Sequence, residues 1–347
     1  MALDATARSA VAAKIPDSDV SVEIQDLSLD SLQDPLSKHA EELAQESSTG
    51  RGDADEDDEA ERSADEEAEL SADEDGEDGE DGEARPTTAA AVAAANATCA
   101  VTSEHVRYTL DRIRSAEVAL EPYPHYFVEN VFSPDLYACI RAKLPRDAAY
   151  KRLRSKQERF YAPIKAKYGS EKFRQGLISR GFDAEFWQGF AEAFEHADLR
   201  DLWVEKFERV LSQRVTDWRE YMAKSLFLRM ELNRDREGYV IPPHTDRGTK
   251  WVTMLYYLAP DDSHKEAGTC VIRSKSGREQ TSSDWESWDD DDFEIARQAP
   301  FLPNSVFAFA PCYKSWHAVP KMNTKFTRDT IQSFVMAKNK LYKKGRC

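Results

Sequence analysis

His244-Thr245-Asp246 sets an imidazole and a carboxylate two positions apart. On an extended segment, residues i and i+2 point to the same face, so both side chains can reach one ion. A second imidazole, His317, follows 73 residues later, and a different strand or loop must bring it alongside. Two histidines and one carboxylate suit ferrous iron, gripping it from one side and leaving about three coordination positions open. A zinc site would draw on thiolates or a third histidine. The nearby Cys270 and Cys312 read as small buried residues of strands.

Strands must position these groups. After residue 224 the chain breaks into short β-branched or aromatic runs at 225–232, 251–258, 269–272, 305–309 and 330–335, punctuated by Gly, Pro, Asn and Asp. Strands at this spacing predict an antiparallel sandwich or barrel. The half before it reads as helical. Val106, Leu110 and Ile113 form a stripe at helical spacing. A short strand at 126–128 leads to Ser133-Pro134, an N-cap and first-turn pair that opens a helix stopped by Pro145. Asp183 caps a helix whose Phe186, Phe190 and Phe194 fall on one face and read as core. The expected division is a helical support over 104–222 and a β-core over 223–340, together one domain spanning 104–347.

Residues 1–103 read as a disordered acidic tail and an alanine-rich linker. Between Asp53 and Glu83 there are 19 acidic residues and one basic residue, Arg62, so that segment has nothing to bury and repels itself. The whole chain carries -17, whereas residues 84–347 carry +7, so the low isoelectric point reports the tail. Five cysteines in no regular spacing argue against a disulfide framework or a zinc ribbon and for a reducing compartment. No basic segment followed by an apolar core opens the chain, and the alanine-rich stretch is too short to span a bilayer. The expectation is an intracellular, cytoplasmic protein with no membrane partner.

Two charged stretches remain. Residues 151–174 carry nine basic residues against two acidic ones, with Phe160, Tyr161 and Tyr168 between them. They read as a solvated helical face, with a patch for nucleic acid and a contact for the acidic tail as alternatives. Asp289 to Asp292, with Glu286 and Glu294, read as an inserted loop at the mouth of the site. They lack the alternating ligands and central glycine of a calcium loop.

The surroundings of the histidines add specificity. Gly238-Tyr239 precedes His244, Tyr256-Tyr257-Leu258 and then Gly268 follow Asp246, and Pro303-Asn304-Ser305 precedes an apolar strand. Ser315 and Val319 flank His317, and Arg328 stands eleven positions beyond it. This set resembles the Fe(II)- and 2-oxoglutarate-dependent dioxygenase superfamily, especially its prolyl-hydroxylase-like branch, over about residues 225–337. Residues 124–145 are similar to the segment that leads into that domain. The resemblance implies a double-stranded β-helix (jelly roll) with flanking helices, with iron held by His244, Asp246 and His317. It also implies a 2-oxoglutarate whose distal carboxylate meets Arg328, or Lys321 or Lys325 in its place, with Tyr257 donating to the same carboxylate. For Tyr257, core packing is the alternative. The partners implied are 2-oxoglutarate, O2 and a substrate the sequence does not identify, a protein side chain or a small molecule. The usual outcome is hydroxylation of a C–H bond with release of succinate and CO2. The competing reading is a catalytically silent protein of the same fold, recruited through its acidic tail to a basic partner.

Overall fold

The computed structural model describes residues 99–153, 158–164, 171–195, 197–214, 226–282, 284–337 and 344–347, all within the compact unit Gly76–Cys347. The expected acidic tail and the start of the linker lie outside the described residues.

Two antiparallel sheets form the core. Eleven strands are described: β1 (His125–Glu129), β2 (Lys151–Arg152), β3 (Arg159–Ile164), β4 (Leu226–Asp235), β5 (Ile241–His244), β6 (Lys250–Leu258), β7 (Thr269–Ser274), β8 (Phe293–Ala299), β9 (Pro303–Phe309), β10 (His317–Val319) and β11 (Arg328–Ala337). The major sheet runs β1-β9-β6-β11-β4-β3-β2 and the minor sheet β5-β10-β7-β8. The antiparallel strands are those the spacing predicts, and their order is the jelly-roll core that the resemblance implies. Its apolar strands are central: in β6 every residue after Lys250 is buried, because Trp251, Val252, Met254, Leu255 and Tyr256 pack into the main hydrophobic cluster. Burial on both faces of a strand explains the continuous apolar run.

Helices cover the outside. α1 (Ser103–Ser115) begins at Thr102, whose side chain accepts the His105 N–H in a capping box. α2 (Pro134–Ala142) has proline in its first turn, as the sequence predicts. α3 (Glu171–Ser179) leads to α4 (Ala184–Phe194), which is capped by Asp183 accepting from Phe186 N. α5 (Ala197–Lys206) and α6 (Glu208–Leu211) complete the layer. Phe186, Phe190 and Phe194 are buried core, as read. No described helix is long and apolar enough to cross a membrane.

Three expectations are corrected. The N-terminal half is more than helical support with the one strand expected at 126–128, which is β1: β2 and β3 also belong to the major sheet. Within the basic stretch, Arg159–Ile164 is not a solvated helical face but a strand paired with β4, with Arg159, Ala162 and Ile164 buried. Aromatic and apolar side chains there have a sheet to pack on, and that outweighs the charge pattern. The remainder of that stretch lies in part outside the described residues. Finally, four cysteines pair. Cys99–Cys139 and Cys312–Cys347 are disulfides with Cα atoms 5.6 and 5.4 Å apart, and Cys270 alone is a buried free thiol. The fold brings distant positions to bonding range, so irregular spacing in the sequence was no guide, and the reducing compartment loses its support.

Candidate metal centre

β5 and β10 lie side by side and antiparallel, with His317 directly opposite His244. The imidazole centroids are 4.2 Å apart. Asp246 follows just beyond the end of β5. One ligand atom from each of His244, Asp246 and His317 lies within 4.8 Å of the others, so the three could hold a metal ion. All three are buried or nearly so.

Hydrogen bonds fix the imidazoles for that task. His244 Nδ1 is 2.9 Å from the Pro242 carbonyl and His317 Nδ1 is 3.0 Å from the Ser315 carbonyl. A carbonyl only accepts, so each Nδ1 carries the proton and each Nε2 keeps its lone pair. Burial, then the neighbouring His317 and Lys250, push His244 down to about 3, against the pull of Asp246 and the Pro242 carbonyl. Burial lowers His317 as well. Both rings are therefore neutral, the form that binds metal. Asp246 stays ionised. Burial opposes its charge, but Lys250 and the Thr253 hydroxyl hold it well below the usual carboxylate range. Its Oδ2 accepts from Thr253 Oγ1 at 2.6 Å and its Oδ1 from Lys250 Nζ at 3.0 Å.

Arg328 opens β11 and is buried, 1 % exposed. Three strands place an ion row on one rung: Arg159 of β3 pairs with Asp235 of β4, which pairs with Arg328 of β11. Asp235 takes Arg159 through both oxygens, at 2.7 and 3.1 Å, and Arg328 Nη1 at 2.6 Å. Arg328 Nε donates to the Ala267 carbonyl at 2.7 Å. Its Nη2 hydrogen-bonds to no described residue. The row holds two guanidiniums and one carboxylate. Glu231 also reaches Arg159 electrostatically, but it is paired with Arg229. One positive charge is thus left over in a buried place. Lys321 and Lys325, the alternatives to Arg328, are exposed.

Tyr257 lies beside Arg328, whose guanidinium carbon is 5.4 Å from its ring centroid. Its hydroxyl is already engaged, 2.7 Å from Thr269 Oγ1 and accepting the Thr269 N–H at 3.1 Å. Gly268, just before β7, is where two backbones meet: a Cβ there would collide with the Ala299 carbonyl. Only glycine fits at this crossing, one residue after the carbonyl that accepts from Arg328 Nε.

The acidic insertion joins β7 to β8 and touches the metal centre. Glu286 N donates to the Pro243 carbonyl at 2.8 Å, and the exposed Trp285 ring lies 6.4 Å from His244. Its carboxylates are not idle, since Arg278 pairs with Glu286, Asp290 and Asp292. From the other end of the chain, the buried Lys344 donates to Thr245 Oγ1 at 2.6 Å and to the Ser282 carbonyl.

The residues missed from sequence are Lys250, Thr253, Arg159, Asp235 and Lys344. Lys250 stands four positions after Asp246, a spacing that could have been noticed. Arg159 and Asp235 are 76 positions apart and carried no signal.

Neither a protein-family profile nor any curated protein matches this sequence. Solved structures that align with this chain include a prolyl-4-hydroxylase of Pseudomonas putida, at 11% identity and a TM-score of 0.34 over 67% of this chain and 100% of that one. A prolyl 4-hydroxylase of Phytophthora capsici aligns at 9% identity and a TM-score of 0.38 over 69% and 67%. HygX of Streptomyces hygroscopicus, solved with nickel and 2-oxoglutarate bound, aligns at 11% identity and a TM-score of 0.37 over 69% and 88%.

Proposed function

We propose that this protein is an Fe(II)- and 2-oxoglutarate-dependent dioxygenase that hydroxylates a C–H bond of its substrate. One conjunction carries the reading: a neutral-histidine, ionised-aspartate ligand set shares a barrel with a buried guanidinium that has charge to spare. The ligand set fits ferrous iron, with two imidazole nitrogens and one carboxylate on one side of the ion. The spare charge fits a carboxylate, and a planar guanidinium fork binds that group well.

The roles of the chain's own residues follow. His244, Asp246 and His317 would hold the metal, with Pro242, Ser315 and Thr253 keeping each ligand oriented. Arg328 would receive the distal carboxylate of 2-oxoglutarate, and Arg159 would share the load on Asp235. When bound, iron with 2-oxoglutarate supplies the activation of O2, which no side chain here can perform. The protein supplies orientation and a site closed to water. Trp285 and the acidic insertion stand where a substrate would enter. The intact ligand set argues against a silent scaffold, in which nothing would keep three ligands poised.

The direct test is anaerobic titration with Fe(II) and then 2-oxoglutarate. A weak visible charge-transfer band should appear, and purified protein should take up about one iron per chain. His244→Ala and Asp246→Ala should each lose the band and most of the metal, as measured by elemental analysis. Full metal binding in either variant would mean that the ligands are elsewhere. Succinate release in a substrate screen would then identify what is oxidised.

A further inference from the structure

We propose that Tyr123 is a hydrogen-bond donor to the bound 2-oxoglutarate, positioning it between the metal centre and Arg328; this deepens the reading above and rests on it. Tyr123 sits just before β1, outside the residues that carry the resemblance.

The first observation is an unused hydroxyl. Tyr123 is 1 % exposed, and its Oη is buried without a hydrogen-bond partner among the described residues. A buried polar group left unmatched is costly, and native proteins rarely keep one without a purpose. The second observation is where that hydroxyl lies. It is within electrostatic reach of Asp246, Tyr257 and Cys270. Asp246 is a proposed metal ligand. Tyr257 carries the Arg328 guanidinium beside its ring. Cys270 pairs in register with Ala318, next to His317. Two of these neighbours belong to the two ends of the site, Asp246 to the metal centre and Tyr257 to the surroundings of Arg328.

The third observation is that the phenol is held in place. Its ring meets Phe309 edge-on at 6.0 Å, and the Phe309 ring lies 4.5 Å from that of His317. The Tyr123 carbonyl accepts from His125 Nδ1 at 2.8 Å, and a reciprocal pair of backbone bonds joins Ala119 to His125. A donor held rigidly needs no reorganisation when a guest binds. A phenol at neutral pH has one proton to give, and a carboxylate or keto oxygen is what would receive it. Tyr257, by contrast, already shares its hydroxyl with Thr269. Between these two tyrosines, Tyr123 is the one with a free donor.

The test uses the full chain loaded anaerobically with Fe(II), and 2-oxoglutarate binding is followed by calorimetry. Tyr123→Phe removes only the hydroxyl and should weaken binding about ten- to hundred-fold. Without 2-oxoglutarate its melting temperature and iron content should match wild type, because the lost group had no partner to lose. Tyr150→Phe removes another buried hydroxyl without a partner, one packed beneath Arg234, and should leave the affinity unchanged. Equal affinity in Tyr123→Phe and wild type would overturn the inference and leave the dioxygenase reading standing. A melting temperature lowered by more than a few degrees, or lost iron, would assign the hydroxyl to packing and overturn it too. If wild-type protein binds iron but no 2-oxoglutarate, both fall together.

Discussion

Two adjacent rungs of the major sheet use the same ions to opposite ends. Arg234 and Asp235 are consecutive in β4, so they point to opposite faces of the sheet. On one face Asp235 binds Arg159 and Arg328, and all three are buried. On the other face Arg234 binds Asp329 at 2.8 Å and Asp147 at 2.6 Å, and Asp147 also takes Arg236 at 2.6 Å. Asp147 is 67% exposed and Arg236 39%, so water reaches the second group and screens whatever charge is left over. The first is shut away from bulk solvent by burial. Arginine and aspartate in contact say little by themselves. The count of charges, set against access to solvent, separates a structural clasp from a place that waits for an anion.

This contrast can be broken by mutation. The largest effect is expected for Arg328→Met, which removes the surplus charge. Affinity for 2-oxoglutarate should fall by more than about a hundred-fold by calorimetry, as expected for losing a bidentate charged partner. Arg234→Met, one rung away, should leave that affinity within about two-fold. If both variants bind alike, the surplus charge is not the anchor.

Next come the carboxylates. Asp235→Asn leaves two guanidiniums buried with no counter-charge and should cost about 3–5 kcal/mol in denaturant unfolding. Asp329→Asn should cost only about 1–2 kcal/mol, because Arg234 keeps Asp147 and water is near. Equal losses would erase the distinction between the two faces. The smallest effect is expected at Tyr257→Phe. The Tyr257 hydroxyl is satisfied by Thr269, so removal should cost about 1 kcal/mol of stability and weaken 2-oxoglutarate less than Tyr123→Phe does. A larger loss of affinity at Tyr257 would restore to it the donor role implied by the resemblance.

The ligand set was legible because strand geometry makes it so. His244 and Asp246 stand two positions apart on extended backbone, and the apolar strands around His317 implied a neighbour in the sheet. β6, β9 and β11 were legible for the same reason, being buried on both faces. The strands that escaped are short or polar. β5 contains Pro242 and Pro243 and survives because it is the edge of its sheet. β8 is largely exposed along its length and shows no apolar period. β3 was hidden by Arg159 and by the basic residues that flank the strand in sequence. Arg159 in particular reads as a surface residue until Asp235 is known to lie beside it. Long-range pairing of this kind, like that of Cys312 with Cys347, depends on the finished fold and leaves no local trace.

The Cys312–Cys347 bond has a practical consequence for handling the protein. It ties the last residues to the loop before β10, where Tyr313 N donates to the Gly345 carbonyl and Lys344 reaches under Thr245, the residue between two proposed ligands. Reagents added to keep iron ferrous are often thiols, and a thiolate opens disulfides by exchange. Here such a reagent would protect the metal while loosening the strap beneath its ligands. Assays reduced with ascorbate, which does not exchange with disulfides, keep those two effects apart.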